Sequence, residues 1–242
     1  MKAMILAAGR GKRLDPLTAT TPKPLIKVGN KPLIQYHIEN LASAGIKEIV
    51  INTCWLGEQI ESYFGDGSSF GLTIKWSKES ELLDTGGGVS NALHLLGSEP
   101  FLLINADIWS NFLFSNLVEK KLPPNIDANL ILIPNPAHNK GGDFTLKPGS
   151  IVGMPTSKKI TYTFSGISIL RPEIFTKYAT LTKSFPLLDV LSKQISLECV
   201  MGSIYRGIWW DSGTLENLEA LDSFLTKNQR AMIDINSVNL LK

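Results

Sequence analysis

The chain has 242 residues, of which 43% are hydrophobic and 19% charged, and its formal net charge at pH 7 is +2. This length suits a large α/β domain with a full core, and the composition excludes a disordered or fibrous chain. The small net charge, the lack of an apolar run long enough for a bilayer and two cysteines without CxxC spacing predict a cytoplasmic protein that binds neither nucleic acid nor membranes.

Short apolar runs alternate with segments of helical period through the first half of the chain. Strands are predicted at residues 3–7, 47–52, 72–77 and 101–105, and helices at 32–45, 56–64 and 87–96. This alternation is typical of βα units around a mostly parallel sheet. The first half therefore predicts an α/β fold.

The second half of the chain is less regular. Its predicted elements are strands at 128–133 and 163–170 and a closing helix at 211–225. The stretch between the strands, 134–155, is rich in Pro, Asn and Gly. Because long ordered loops in compact domains tend to be functional, this stretch predicts an irregular lobe that covers a ligand.

A glycine-rich, basic loop follows the first strand. Residues 9–13 combine two glycines with three cations. The backbone N–H groups of such a turn can hold phosphate oxygens, and the carboxyl end of a strand is where open α/β sheets bind ligands. A dinucleotide fingerprint would need glycine in place of Leu14, and a P-loop would need Ser or Thr in place of Arg13. The loop therefore predicts a phosphate site of another kind.

Three stretches of the chain together indicate a family. Residues 6–25 match the pattern LAAGxGxRLxPLTxxxPKPL, Asn105-Ala106-Asp107 resembles an N-G-D metal site, and Trp210 to Thr214 resembles a W-x-D-x-G-T element. These motifs resemble those of the sugar-1-phosphate nucleotidylyltransferases. The resemblance implies one Rossmann-like, GT-A-like domain over residues 1–242 with a mostly parallel mixed sheet. Residues 1–110 would form its nucleotide-binding half, and 111–242 would supply the irregular sugar-binding lobe and the second metal ligand.

The resemblance also implies the chemistry. Such enzymes join a nucleoside triphosphate to a sugar 1-phosphate and release pyrophosphate with Mg²⁺, which prefers a few carboxylate oxygens besides water and phosphate. Asp107 and Asp211 would bind the metal, Arg13 would clamp the triphosphate and Lys23 would contact phosphate near the reacting centre. These four are the predicted catalytic residues. The predicted nucleotide-binding residues are Leu6, Ala7, Ala8, Gly9, Arg10, Gly11, Arg13, Lys23, Glu81, Thr85, Gly86, Gly87 and Asn105.

A second glycine-rich loop, residues 81–88, opens the helix predicted at 87–96. Three consecutive glycines allow a flat ligand to lie directly on the backbone. In the family that the chain resembles, the corresponding loop receives the nucleotide base. We therefore expect the base at this loop.

Four residues are predicted for the sugar site: Gly142, Asp143, Ser165 and Gly166. Asp143 lies in a glycine-containing turn of the irregular lobe and would accept hydrogen bonds from the sugar. A lactyl carboxylate on the sugar would need a cation. Lys140, Arg171 and Arg206 are all open candidates for that cation.

Segments at 50–57, 66–72, 85–88, 135–144 and 163–167 resemble the N-acetylmuramic acid 1-phosphate uridylyltransferases of peptidoglycan recycling. That resemblance implies UTP and N-acetyl-α-muramic acid 1-phosphate as substrates and UDP-MurNAc as product. Larger relatives that activate glucose or mannose usually carry an E-K-P element in the sugar lobe, where this chain has Gly153-Met154-Pro155. Mannose-1-phosphate guanylyltransferase remains an alternative, because it shares the first loop and both aspartates. A GT-A-like glycosyltransferase fits less well, since Asn105 replaces the first Asp of its DxD motif. The oligomeric state stays open between monomer and homodimer.

Overall fold

A nine-stranded mixed sheet forms the centre of the protein. The computed structural model describes residues 1–156, 159–176, 178 and 183–239, with side chains as far as residue 228. In chain order the strands are β1 (Ala3–Leu6), β2 (Lys27–Val28), β3 (Lys31–Pro32), β4 (Glu48–Thr53), β5 (Thr73–Lys78), β6 (Phe101–Asn105), β7 (Ile108–Ser110), β8 (Ala128–Ile133), β9 (Phe144–Leu146), β10 (Val152–Gly153), β11 (Thr161–Leu170), β12 (Val200–Ile204) and β13 (Trp209–Asp211). The helices are α1 (Leu17–Thr20), α2 (Leu33–Ser43), α3 (Gly57–Phe64), α4 (Asp84–Leu96), α5 (Ser115–Val118), α6 (Leu187–Ser196) and α7 (Leu215–Asn239).

The first half supplies four parallel strands in the order β5-β4-β1-β6. Leu6 at the end of β1 is level with Asn52 in β4 and Asn105 in β6. β11 continues the sheet antiparallel to β6 and pairs with both β8 and β9, while β12 runs parallel to β8. The loops that leave β1, β4 and β6 therefore meet at one edge of the sheet.

Two apolar layers cover the sheet, because successive residues of a strand point to opposite faces. Ile5 and Ile51 pack with α2 and α3 on one face, whereas Met4 and Val50 pack with α4 and α6 on the other. The buried positions of α2 recur at the predicted three- and four-residue spacing. A third cluster joins α7 to the first loop and to α2.

The predicted α/β fold with a mostly parallel mixed sheet is confirmed. Sequence pattern missed α6, β12 and the two-stranded ribbon of β7 and β13. The predicted closing helix at 211–225 begins only at Leu215, because Asp211 belongs to β13. Within the described residues, no helix combines the length and the apolar character needed to cross a membrane.

Candidate active site

A cleft of about 650 Å³ opens where β1, β4 and β6 end. This edge is the usual ligand-binding edge of an open α/β sheet. The predicted residues that line the cleft are Leu6, Ala7, Ala8, Gly9, Gly11, Arg13, Lys23, Thr85, Asn105 and Asp107. The structure thus brings the first loop, the end of β6 and the start of α4 around one cavity.

The first loop presents backbone donors to this cleft. The N–H groups of residues 8–11 have no hydrogen-bond partner in the part of the chain that the structure describes. Gly11 has a φ of 68°, and a Cβ there would lie 3.2 Å from side-chain carbons of Thr18 and Lys23. Only glycine meets both conditions without strain. The loop therefore packs closely over Lys23 while its N–H groups stay available to an anion.

Lys23 and Asp107 form an ion pair inside the cleft. Lys23 Nζ donates to Asp107 Oδ2 at 2.9 Å, and the lysine side chain is 9% exposed. A buried ammonium group needs such a partner, because its desolvation is costly. The pair places a positive charge directly beside the carboxylate that follows β6.

The ribbon of β7 and β13 brings Asp211 to the same place. Asp211 is directly opposite Ile108, the residue after Asp107. Ser212 fixes this arrangement, since its backbone N and its Oγ both donate to the Asp107 carbonyl oxygen, at 3.0 and 2.6 Å. Two aspartates separated by 104 positions in the sequence numbering therefore come close together. Asp107 lines the cleft, whereas Asp211 is not among the lining residues but accepts a hydrogen bond from Gly213, which is.

Gly213 lies between Arg13 and Asp211. Its N–H donates to Asp211 Oδ1 at 2.8 Å, and a Cβ at this glycine would lie 2.8 Å from Arg13 Nη2 and 2.9 Å from Asp211 Oδ1. A side chain here would therefore push the guanidinium group and the carboxylate apart. His138 Nε2 stands 3.7 Å from the other oxygen, Oδ2.

His37 is a buried residue that contacts the backbone of strand β7. It is 2% exposed, and its Nε2 lies 2.8 Å from the Ile108 carbonyl oxygen, to which the neutral ring donates. Burial lowers the pKa of His37 from 6.5 to about 4, although the Ile108 carbonyl and Asp107 oppose this shift. The ring is therefore neutral near pH 7 and acts as a structural residue.

This lowered pKa predicts a pH-dependent stability. As the pH falls from 6.5 towards 4, the unfolded chain gains a proton on His37 before the folded protein does, so the free energy of unfolding decreases. His37→Gln keeps an N–H donor but does not titrate. We expect its free energy of unfolding, measured by urea denaturation at pH 7 and pH 4.5, to fall less than that of the wild type. An equal fall in both proteins would contradict the assignment.

Sequence analysis missed a buried polar pair that joins two walls of the cleft. Asn52 Oδ1 accepts from Ala7 N at 2.8 Å, and Asn52 Nδ2 donates to Glu79 Oε1 at 2.7 Å. The other oxygen of Glu79 accepts from Leu83 N at 3.3 Å. Burial raises the pKa of Glu79, while its two hydrogen-bond donors oppose that shift. The signal for Asn52 was present, since it is the last residue of the strand predicted at 47–52, as Asn105 is the last residue of the strand predicted at 101–105.

The glycines of the second loop are needed for close packing within the chain, which is not the reason predicted for them. Gly86 and Gly87 do not line the cleft, and their N–H groups donate to the Phe185 carbonyl oxygen at 2.9 and 3.0 Å. A Cβ at Gly87 would overlap the carbonyl oxygen of Lys183. These glycines admit a neighbouring chain segment rather than a flat ligand, whereas Thr85 does face the cavity.

Arg10 and Glu81 also lie outside the cleft lining. The guanidinium group of Arg10 stacks on Trp55, 4.5 Å from the ring centroid, and pairs with Asp15 at 3.3 Å. Glu81 instead borders a smaller cavity of about 300 Å³ beside α4. The structure therefore does not bring these two side chains to the cleft.

The four predicted sugar residues do not line the cleft either; they build the framework of the lobe. Asp143 Oδ2 accepts from Phe164 N at 2.8 Å and its Oδ1 accepts from Asn139 Nδ2 at 2.9 Å, so the carboxylate holds the loop to β11. A Cβ at Gly142 would lie 2.7 Å from Asn135 Oδ1, and the Ser165 carbonyl oxygen accepts from Trp209 Nε1 at 2.9 Å. Gly166 has a φ of 82° and lies within a bulge of β11, where the bare backbone passes Asn105.

Arg171 is removed from the candidates for the lactyl carboxylate. Its Nε donates to the Ile126 carbonyl oxygen at 2.8 Å, and it follows Leu170, which pairs with the first residue of β6. It therefore lies at the opposite edge of the sheet from the cleft. Lys140 and Arg206 are exposed and remain candidates.

Sequence comparison decides the family. The family model described as nucleotidyl transferase matches residues 2–228. The chain belongs to the nucleotidyl transferase family. This membership confirms the resemblance to sugar-1-phosphate nucleotidylyltransferases and makes the chain an enzyme of that class.

Individual members of the nucleotidyl transferase family are similar over most of the chain. N-acetylmuramate alpha-1-phosphate uridylyltransferase of Neisseria meningitidis serogroup B is 46% identical over 224 residues, which is 90% of this chain and 96% of that protein. Mannose-1-phosphate guanyltransferase of Yarrowia lipolytica is 30% identical over 251 residues, covering 96% of this chain and 68% of that protein.

Solved structures share the fold. A candidate glucose-1-phosphate thymidylyltransferase of Bacillus anthracis, in complex with sucrose, superposes with a TM-score of 0.84 at 20% identity, covering 93% of this chain and 95% of that one. HddC of Yersinia pseudotuberculosis, complexed with GMP-PN, gives 0.75 at 21% identity, covering 92% and 98%.

Proposed function

We propose that the enzyme transfers a uridylyl group from UTP to N-acetyl-α-muramic acid 1-phosphate, giving UDP-MurNAc and pyrophosphate. The observation that carries this proposal is the 46% identity to the Neisseria uridylyltransferase over 96% of that protein's length. The similarity to the Yarrowia guanyltransferase is lower, at 30%. Because the product is an activated cell-wall sugar, we place the reaction in cytoplasmic peptidoglycan recycling.

Asp107 and Asp211 would hold Mg²⁺. Their oxygens are the hard ligands that this ion prefers. Asp107 lines the cleft, and the ribbon holds Asp211 opposite Ile108, the next residue after Asp107. Over the described ranges, no three His, Cys, Asp or Glu side chains form a metal-binding group, so phosphate and water would supply the other ligands. When bound, Mg²⁺ would neutralise charge on the triphosphate and on the departing pyrophosphate.

The remaining chemistry falls to the cations and N–H groups of the first loop. An oxygen of the sugar phosphate attacks the α-phosphorus of UTP, a new P–O bond forms, and the bond to the bridging oxygen breaks to release pyrophosphate. The attacking oxygen is already ionised, so neither a protein nucleophile nor a general base is required. Arg13 and the free N–H groups of residues 8–11 would hold the triphosphate, and Lys23 would stabilise charge near the α-phosphorus.

The lobe around Asp143 would shape the sugar site indirectly. Asp143→Ala removes the acceptor for Phe164 N and Asn139 Nδ2, and so frees the loop from β11. We expect the KM for the sugar 1-phosphate to rise about tenfold, with a much smaller change in the KM for UTP. Initial rates with each substrate varied in turn measure both constants. A larger change for UTP would contradict a sugar-side position.

Pyrophosphate release tests the proposed function. The four nucleoside triphosphates are combined in turn with the 1-phosphates of N-acetylmuramic acid, N-acetylglucosamine, mannose and glucose. The proposal expects the highest kcat/KM for UTP with N-acetylmuramic acid 1-phosphate. A higher value for GTP with mannose 1-phosphate would replace the substrate assignment and leave the family unchanged.

A further inference from the structure

Each of the two aspartates has a tryptophan close to it in the sequence, and both tryptophans pack against helix α7. Trp109 and Trp210 are directly opposite each other in the ribbon of β7 and β13. Trp109 lies two residues after Asp107, and Trp210 immediately precedes Asp211. Directly opposite residues of an antiparallel pair project from the same face, so the two indoles form one aromatic surface on the ribbon.

Phe224 of α7 packs on both indoles. Its ring centroid is 5.9 Å from that of Trp109 and 5.8 Å from that of Trp210, with interplanar angles of 67° and 41°. These separations lie in the favourable range for aromatic pairs. One side chain of the last helix therefore contacts the neighbours of both aspartates.

Packing alone holds these two indoles. The Nε1 atoms of Trp109 and Trp210 are buried and have no hydrogen-bond partner among the residues that the structure describes. The ring of Tyr36 also contacts Trp109, with 6.2 Å between the ring centroids. Because neither indole N–H has a partner in the described residues, packing sets the ring positions, and the ring of Phe224 contacts both indoles.

The same face of α7 also reaches the basic loop. Leu218, Leu221 and Leu225 share an apolar cluster with Leu14, the residue after Arg13. Asp222 Oδ1 accepts from Gly29 N at 2.8 Å, which ties the helix to the segment after Lys23. The helix is thus a common base for the ribbon and for the first loop.

We propose that Phe224 is a positioning residue for the metal site: by packing on Trp109 and Trp210, it sets the spacing of Asp107 and Asp211. The inference rests on the proposed function, because it assumes that these aspartates bind the metal. Phe224 itself contacts neither substrate nor metal. Its loss leaves the ligands present but less well arranged, and supporting residues of this kind typically change metal affinity by about tenfold or more.

Mn²⁺ binding, followed by electron paramagnetic resonance in the presence of UTP, tests the inference without turnover. Phe224→Leu keeps the apolar volume but loses the ring, and we expect it to weaken Mn²⁺ binding about tenfold. Phe224→Tyr keeps the ring and should bind Mn²⁺ as the wild type does. The matched control is Phe175→Leu, which removes a fully buried ring that pairs with Phe101 at 6.5 Å, away from the cleft.

The control separates spacing from general stability. Phe175→Leu should lower the Tm at least as much as Phe224→Leu does, with unchanged Mn²⁺ affinity. Wild-type affinity in Phe224→Leu, or equal weakening in both leucine variants, would overturn the inference. Asp107→Asn and Asp211→Asn serve as references. If neither changes Mn²⁺ binding, the proposed metal site itself fails; if both do and Phe224→Leu does not, only the positioning inference fails.

Discussion

Replacing Asp107 or Asp211 by asparagine is expected to lower kcat by about 10²-fold or more. Asparagine is similar in size and keeps one oxygen acceptor, so Asp211→Asn can still accept from Gly213 N. What it loses is the negative charge that would bind Mg²⁺ against competing water. In Asp107→Asn, Lys23 also loses its counter-charge, so this variant should be less stable as well.

Initial rates of pyrophosphate release over a range of Mg²⁺ concentrations measure this effect. Asp222→Asn is the matched control, because Asp222 also accepts a backbone N–H bond, but its partner Gly29 belongs neither to the cleft lining nor to the ribbon of β7 and β13. The control should retain wild-type kcat. Undiminished turnover in Asp107→Asn or Asp211→Asn, with saturating substrates, would remove that residue from the metal site.

Truncation of Arg13 or Lys23 is expected to have a comparable effect. Arg13→Ala should lower kcat about as much as kcat/KM, by roughly 10² to 10³, if its contact strengthens as charge develops on the departing pyrophosphate. Lys23→Ala should be at least as severe. It removes a buried ammonium group and leaves Asp107 without its partner at 2.9 Å.

Arg10→Ala is the control from the same loop. Its guanidinium group stacks on Trp55 and pairs with Asp15, outside the cleft lining, so we expect less than a threefold loss of kcat. Steady-state kinetics with UTP varied separate the two constants. A change confined to KM in Arg13→Ala would make Arg13 a binding clamp that contributes equally in the ground state and the transition state.

The first half of the fold could be predicted because its signals are local. Each strand and helix there has its own apolar period, and the buried positions of α2 follow that period. β7 and β13 are three residues each, too short for any alternation to show. The helix predicted from Asp211 onward therefore included a residue that belongs to strand β13. The W-x-D-x-G-T motif had nevertheless made Asp211 a predicted site residue.

Glycine patterns were the main source of error in the candidate site. A run of glycines indicates that another group comes close to the backbone, but it does not show whether that group is a ligand or another part of the chain. At Gly11 the close neighbours are the side chains of Lys23 and Thr18, and at Gly213 they are those of Arg13 and Asp211. At Gly86 and Gly87 the neighbour is the segment around Phe185, which is distant in sequence and gives no local signal. Asp143 was similarly predicted as a sugar contact, whereas its partners are in the loop and in β11.

The most direct test of the central claim is a competition in one vessel. The enzyme receives UTP and GTP at equal concentrations, Mg²⁺, and equal, subsaturating concentrations of the 1-phosphates of N-acetylmuramic acid, N-acetylglucosamine and mannose. Mass spectrometry of the early products then reports the relative kcat/KM of every pairing at once. The proposed function predicts UDP-MurNAc as the dominant product. A predominance of GDP-mannose, or equal amounts of UDP-MurNAc and UDP-N-acetylglucosamine, would contradict it.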